Sequence, residues 1–379
     1  MNRWLRVAAI FGVLGTLVTA TGLLGGARAA WFAWLTAFTF WLSLALGALL
    51  FIMIQHAMGG TWFLIYRRLA EALTIPLLLL VVLFIPLLFG APQLYPWASD
   101  QLRPTLASEQ RTWFTPPFFL IRAAGYFASW VIAAVLLSRW SIQQQHGAAP
   151  ELARKQLVTS AALLPLIGFT GSFAAFDWLM SLEAGWYSTI FGVYFLSGAI
   201  LAVLGLLSVI TYLLGRHGNL PELTESHTHG LGKMMLVFVI FWAYIAYSQY
   251  FLIWIADVPA ESHWYLVRSR GAWAWVSLLL VAGNFLVPFV LLLSRTLKRT
   301  GRALAAVGAL LVAMHYIDVY WLILPAFRSA GPLPSFYDPV AFIGIGGLYA
   351  ATALWWLRDK PLLPAGDPRL QRALEFFTS

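Results

Sequence analysis

The chain has 379 residues, of which 61% are hydrophobic and only 10% charged. Soluble domains carry about 25% charged residues, so this balance excludes an ordinary water-soluble domain. The absence of cysteine excludes disulfides, cysteine-ligated iron–sulfur clusters and thioether-attached haem in this chain. The net charge of +9 sits in short loops between apolar runs, which marks membrane topology and not a nucleic-acid surface.

A membrane-spanning helix needs about 20 mostly apolar residues. Ten stretches meet that length, at roughly 5–25, 31–57, 70–90, 116–140, 156–180, 187–214, 232–256, 271–295, 302–324 and 339–358. The expected fold is therefore an all-α integral membrane domain occupying residues 1–379. The first stretch follows Arg3 and Arg6, as a signal peptide would. Its apolar core from Val7 to Leu24 is longer than a signal core of about 7–15 residues, so it reads as the first span. The 91–115 connection is rich in aromatic residues, including Tyr95, Trp97, Trp113 and Phe114. It is expected along the membrane interface or beneath a partner. The Gly344-Ile345-Gly346-Gly347 run reads as close helix packing.

Basic residues set the orientation. The side that holds the N-terminus receives Arg3, Arg6, Arg67, Arg68, Arg139, Arg154, Lys155, Arg216, Lys233, Arg295, Lys298, Arg299, Arg302, Arg358, Lys360, Arg369 and Arg372. The opposite side receives only Arg28, Arg103, Arg111, Arg268, Arg270 and Arg328. The positive-inside rule then places both termini in the cytoplasm, and an even number of spans agrees.

Ionisable residues within spans are costly and mark pathways or interhelical locks. One group falls toward the outer side: Arg122, Asp177, His315 and Asp318. The spacing of His315 and Asp318 puts them on one helical face. They read either as an outer proton-transfer or quinone-head site, or as an Arg122 ion pair with Asp177 or Asp318. A second group falls toward the inner side: His56, Arg67, Arg68, Glu71 and Lys233. It reads as a proton entrance or as charges meeting headgroups. Between them, Thr170, Ser172, Tyr244, Tyr247, Ser248, Gln249 and Asn284 read as links in a proton path or as interhelical hydrogen bonds. Only His56 and His315 fall in spans, at different depths, so a bis-histidine haem is not expected. No metal site is expected either.

Three stretches carry a family resemblance: QHAMGGTWFLIYRRLAEAL at 55–73, DWLMSLEAGWYSTIFGVYFLSG at 177–198 and LGKMMLVFVIFWAYIAYSQYFLIWIADVPAE at 231–261. Together they resemble the ActF membrane subunit of alternative complex III, a bacterial quinol:electron-acceptor oxidoreductase, and more distantly the NrfD and polysulfide-reductase membrane subunits. The resemblance implies two four-helix bundles flanked by two further helices. It implies a cofactor-free subunit in the bacterial inner membrane that scaffolds redox partners and conducts protons. The implied partners are a sister NrfD-like membrane subunit, an iron–sulfur subunit and cytochrome c subunits, which carry the haem c and the clusters, with quinol as the substrate of the complex. His56, Arg67, Arg68, Glu71, Asp177, Glu183, Lys233, Asp257 and Glu261 lie within the matched motifs. Two other readings remain open: a quinol-binding subunit in its own right, and a stand-alone secondary transporter, for which Pro165 and Pro288 are the candidate interruptions within spans.

Overall fold

The computed structural model describes residues 2–99, 106, 108–147, 150–183 and 185–378. Arg103 of the far-side charge set lies outside the described residues. Every regular element among the described residues is helical, and ten helices are long and apolar enough to cross a membrane. The protein is an all-α, multi-pass integral membrane protein.

The spans are α1 (Asn2–Leu24), α2 (Arg28–Ala57), α3 (Leu64–Phe89), α4 (Pro116–Gln143), α5 (Pro150–Trp178), α6 (Phe191–Arg216), α7 (Glu225–Ala256), α8 (Gly271–Leu293), α9 (Gly301–Ile323) and α10 (Tyr337–Leu357). Several begin before their apolar cores, because a helix can continue into polar sequence where a cap starts it. Thr224 starts α7 at Glu225, ahead of the expected 232: the Thr224 hydroxyl accepts from the His227 amide, and the His227 ring accepts from the Thr224 amide. The helix α3 also begins early, at Leu64 and with no side-chain cap hydrogen bond, so Arg67, Arg68 and Glu71 lie on its first turns. Pro76 interrupts α3 between Leu64–Thr74 and Leu77–Phe89. In α8 a π-helical segment, Val281–Leu286, precedes Pro288, whose missing amide hydrogen breaks the regular α ladder there.

The helices α2 to α5 pack as one group of four and α6 to α9 as another, while α1 and α10 pair outside them. This is the two-bundle arrangement with two flanking helices. The buried α2 joins the groups by crossing α6 where Gly47 meets Ala199; a Cβ on Gly47 would lie 2.4 Å from the Ala199 carbonyl oxygen. The α1–α10 seam is also glycine-lined, since a Cβ on Gly15 would lie 2.7 Å from the Gly344 Cα. Each seam lets backbones approach until dispersion replaces the missing side chains.

Ten alternating spans return the C-terminus to the side of the N-terminus. The tail there folds back under the helices: His227 Nε2 is 2.7 Å from the Ala373 carbonyl oxygen, and the Ser226 hydroxyl accepts from the Thr378 amide. On the far side, the described part of 91–115 packs on this chain itself. Tyr95 donates to the Trp178 carbonyl at 3.1 Å, Trp97 donates to the Ser181 hydroxyl at 3.2 Å, and Trp97 stacks on Phe114.

Candidate functional site

Burying a charge is tolerated when a partner and hydrogen bonds compensate its lost hydration. Buried acids are therefore the first place to look for chemistry, and the described residues contain five: Glu71, Asp177, Asp318, Asp338 and Asp367.

Four of them are locked. Asp177, at the far-side end of α5, receives the Arg122 guanidinium in two-point fashion, Nε to Oδ2 at 2.8 Å and Nη2 to Oδ1 at 2.9 Å. Tyr126 and Trp113 add hydrogen bonds at 2.9 and 3.0 Å. The Arg122 Nη1 donates to the Trp113 carbonyl, and the guanidinium lies 4.4 Å from the Trp113 and Phe118 ring centres. This is the ion-pair alternative for Arg122, with Asp177 and not Asp318 as its partner. On the N-terminal side, Arg67 bridges Glu71 at 2.9 Å and Asp367 at 2.7 Å, and donates to Gln144 at 3.2 Å. Arg68 holds the other Glu71 oxygen at 2.7 Å, and Arg369 holds Asp367 at 2.9 Å. Burial alone would raise the Asp367 carboxyl, but the Arg369 hydrogen bonds and charge, with the Arg67 charge, hold it below the usual carboxylate range. Asp338 pairs with Arg328 at 3.0 Å.

Asp318 is different. It is 1% exposed and forms no ion pair among the described residues. Its Oδ1 accepts a hydrogen bond from the Tyr194 hydroxyl on α6. One turn earlier on α9, His315 is also buried, with Nε2 2.7 Å from the Ser43 hydroxyl of α2 and Nδ1 lacking a partner among the described residues. Both side chains face Gly198 of α6: a Cβ there would sit 3.2 Å from His315 Nδ1 and 3.6 Å from Asp318 Oδ2. Gly198 thus makes room for two titratable groups where α2, α6 and α9 meet. The arrangement sets two hydrogen-bonded pairs, Asp318 with Tyr194 and His315 with Ser43, on either side of Gly198, and each pair can hold a proton.

Arg268 lies beyond the far-side end of α9. It donates to the Trp321 and Leu322 carbonyls at 3.2 and 3.0 Å, capping α9, and pairs with Glu183 at 2.8 Å. Burial lowers the Arg268 pKa from its usual value, and the Glu183 carboxylate opposes that shift. Asp318 is five residues, about 7.5 Å of helix, from this capped end.

The remaining expected residues disperse. His56 is buried with Nδ1 3.2 Å from the Ser160 hydroxyl and, among the described residues, no partner on Nε2. Lys233 is exposed and donates to the Thr378 hydroxyl. Tyr244 and Tyr247 point outward from α7, 64% and 63% exposed, so their hydroxyls do not face the bundle interior; Ser248 is half-buried. The interior face of α7 carries Trp242 and Gln249 instead. The residues that sequence reasoning missed are Tyr194, Ser43, Asp367 and Arg268. Tyr194 and Gly198 both lie within the 177–198 motif, and their four-residue spacing on one helical face was the available signal. No model of a known protein family matches the chain, and no characterised protein matches it in sequence.

Proposed function

We propose that the chain is the cofactor-free membrane subunit of a quinol oxidoreductase of the alternative complex III kind, and that it scaffolds the redox subunits and passes protons through its core. The observation that carries the proton role is Asp318, the buried acid without a cation partner among the described residues, held by Tyr194 beside His315. An intramembrane ionisable residue kept without a counter-ion is a functional site by default. Membership of the complex is supported by the three motif stretches and by the two-bundle packing with a flanking pair. The same resemblance supplies the bacterial inner membrane. The basic-residue bias supplies cytoplasmic termini, so Asp318 lies in the outer half of α9. Electrons then travel in the partner chains, through haem c and iron–sulfur clusters, and this chain supplies helices and titratable groups. Gentle-detergent purification of the tagged chain, with subunit identification and a reduced-minus-oxidised haem spectrum, tests membership. Co-purifying cytochromes c and an iron–sulfur subunit are expected. A colourless, partner-free protein would remove this reading and favour a stand-alone transporter.

A second reading, quinol binding by this chain, is favoured by one far-side feature. A cavity of about 490 Å³ is lined by Trp97, Trp113, Phe114, Phe176, Trp186 and Glu183 among others. The buried Trp186 leaves its indole nitrogen without a partner among the described residues. This cavity, and not the satisfied Arg122–Asp177 pair, is where a planar head would enter. Photo-crosslinking with an azido-quinone tests it: labelled peptides from 173–187 are expected, and labelling confined to another subunit would contradict it.

A further inference from the structure

On the N-terminal side a cavity of about 650 Å³ opens between the start of α7, the Arg295–Arg299 turn and the start of α9. Its lining carries Arg295, Arg299, Thr224, Thr296, Thr300 and one acid, Glu225. Arg295 and Arg299 stand four residues apart on a single helical turn, so both reach the same side. Neither forms an ion pair among the described residues, and neither do the neighbouring Lys233 and Lys298.

Among the described residues this charge is poorly compensated. The Arg299 Nη2 donates to the Thr378 carbonyl at 3.0 Å, but its Nε is buried with no partner among the described residues. One residue from the lining Thr228, the buried His229 leaves Nδ1 without a partner among the described residues. Burial, and after it the Lys233 charge, lower the Lys298 ammonium below its usual value. Cations crowded in this way repel one another unless an anion joins them. The start of α9 adds to the field. The Thr300 hydroxyl donates to the Thr296 carbonyl at 2.9 Å and gives α9 no side-chain cap, which leaves first-turn amide N–H groups free for an acceptor.

Depth matters as much as charge. Val290, Leu291 and Leu293 present apolar surface outward, and at Ser294 and Arg295 the exposed surface turns polar. That change marks the boundary between acyl chains and headgroups, where basic pockets meet lipid phosphates.

We infer that this cavity binds a phosphate group, clamped by Arg295 and Arg299 against the start of α9 and carried by an anionic phospholipid headgroup or by free phosphate. Glu225 on the α7 wall repels a second negative charge, which favours a singly charged phosphodiester.

The test uses the full chain in a zwitterionic detergent, titrated separately with short-chain phosphatidylglycerol, short-chain phosphatidylcholine and inorganic phosphate, and read by native mass spectrometry. Saturable phosphatidylglycerol binding is expected, weakened about fivefold by each of Arg295→Gln and Arg299→Gln. Arg139→Gln, an exposed basic residue on the same side, should leave it unchanged. Inorganic phosphate binding with the same variant sensitivity, without phosphatidylglycerol binding, would identify free phosphate as the source. Equal binding of both lipids, phosphatidylglycerol binding that both variants leave intact, or no binding of either anion would overturn the inference. An unchanged melting temperature of the ligand-free variants separates a lost clamp from a lost fold.

Discussion

Tyr194 on α6 donates its hydroxyl hydrogen bond to Asp318 on α9, in a core where each of the other buried acids among the described residues is held by arginine. The contrast separates two uses of buried charge. A carboxylate clamped by guanidinium is a lock, whereas one held by neutral donors such as a phenol can exchange its proton without breaking an ion pair.

Tyr194→Phe keeps the ring that packs against Trp242 and removes only the hydroxyl. The loss of one buried hydrogen bond should destabilise the protein by about 1–3 kcal/mol. If Tyr194 also relays protons, the rate of proton release should fall in the assembled complex. Urea or thermal denaturation in detergent gives the first quantity, and a pH-indicator assay in proteoliposomes the second.

The Arg122–Asp177 pair should behave as a lock. Arg122→Ala or Asp177→Ala leaves a buried charge without its partner and should cost about 3–5 kcal/mol. The double variant Arg122→Met with Asp177→Leu should recover much of that loss. Proton release per electron should be unaffected in whatever protein assembles. Thermal unfolding of the single and double variants, arranged as a double-mutant cycle, measures the coupling.

The C-terminal tail should come loose only in acid. The Asp367 carboxyl is held below its ordinary value in the folded state by Arg369 and Arg67. Its stabilisation is therefore complete above the unfolded pKa of about 3.9 and is lost as pH falls through the lower folded value. Hydrogen exchange of 358–378 should be flat from pH 5 to pH 8 after correction for intrinsic rates. Asp367→Asn should raise it throughout that range.

The flanking pair should be sensitive to a single methyl group. A Cβ on Gly344 would lie 2.6 Å from the Thr16 amide nitrogen, and one on Gly15 would lie 2.8 Å from the Gly344 amide nitrogen. Gly344→Ala should cost about 1–3 kcal/mol through overpacking. Disulfide trapping between cysteines placed on α1 and α10 would report the loss of pairing.

Much of the fold is legible in the sequence because spanning helices must be apolar over a fixed length, and that pattern survives whatever packs around them. Rotation about each helix axis is not legible. The helix α7 is apolar all round, because its outer face meets lipid or a partner and its inner face meets other helices, so hydropathy gives no reason to place Tyr244 and Tyr247 outside and Gln249 inside. The spacing of His315 and Asp318 indicates one shared face, and they do share it, against Gly198. Their partners Ser43 and Tyr194 come from other spans, which no local spacing predicts. The Arg67–Asp367 pair joins residues 300 positions apart and appears only once the tail is folded back. The choice between Asp177 and Asp318 as the Arg122 partner likewise depends on which helices are neighbours.

The most direct test is Asp318→Asn in the proposed quinol oxidoreductase complex, with protons released per electron measured in sealed proteoliposomes. Normal subunit content and haem spectrum, together with reduced proton release, are expected. Normal assembly with unchanged proton stoichiometry would contradict a proton-passing role for this chain.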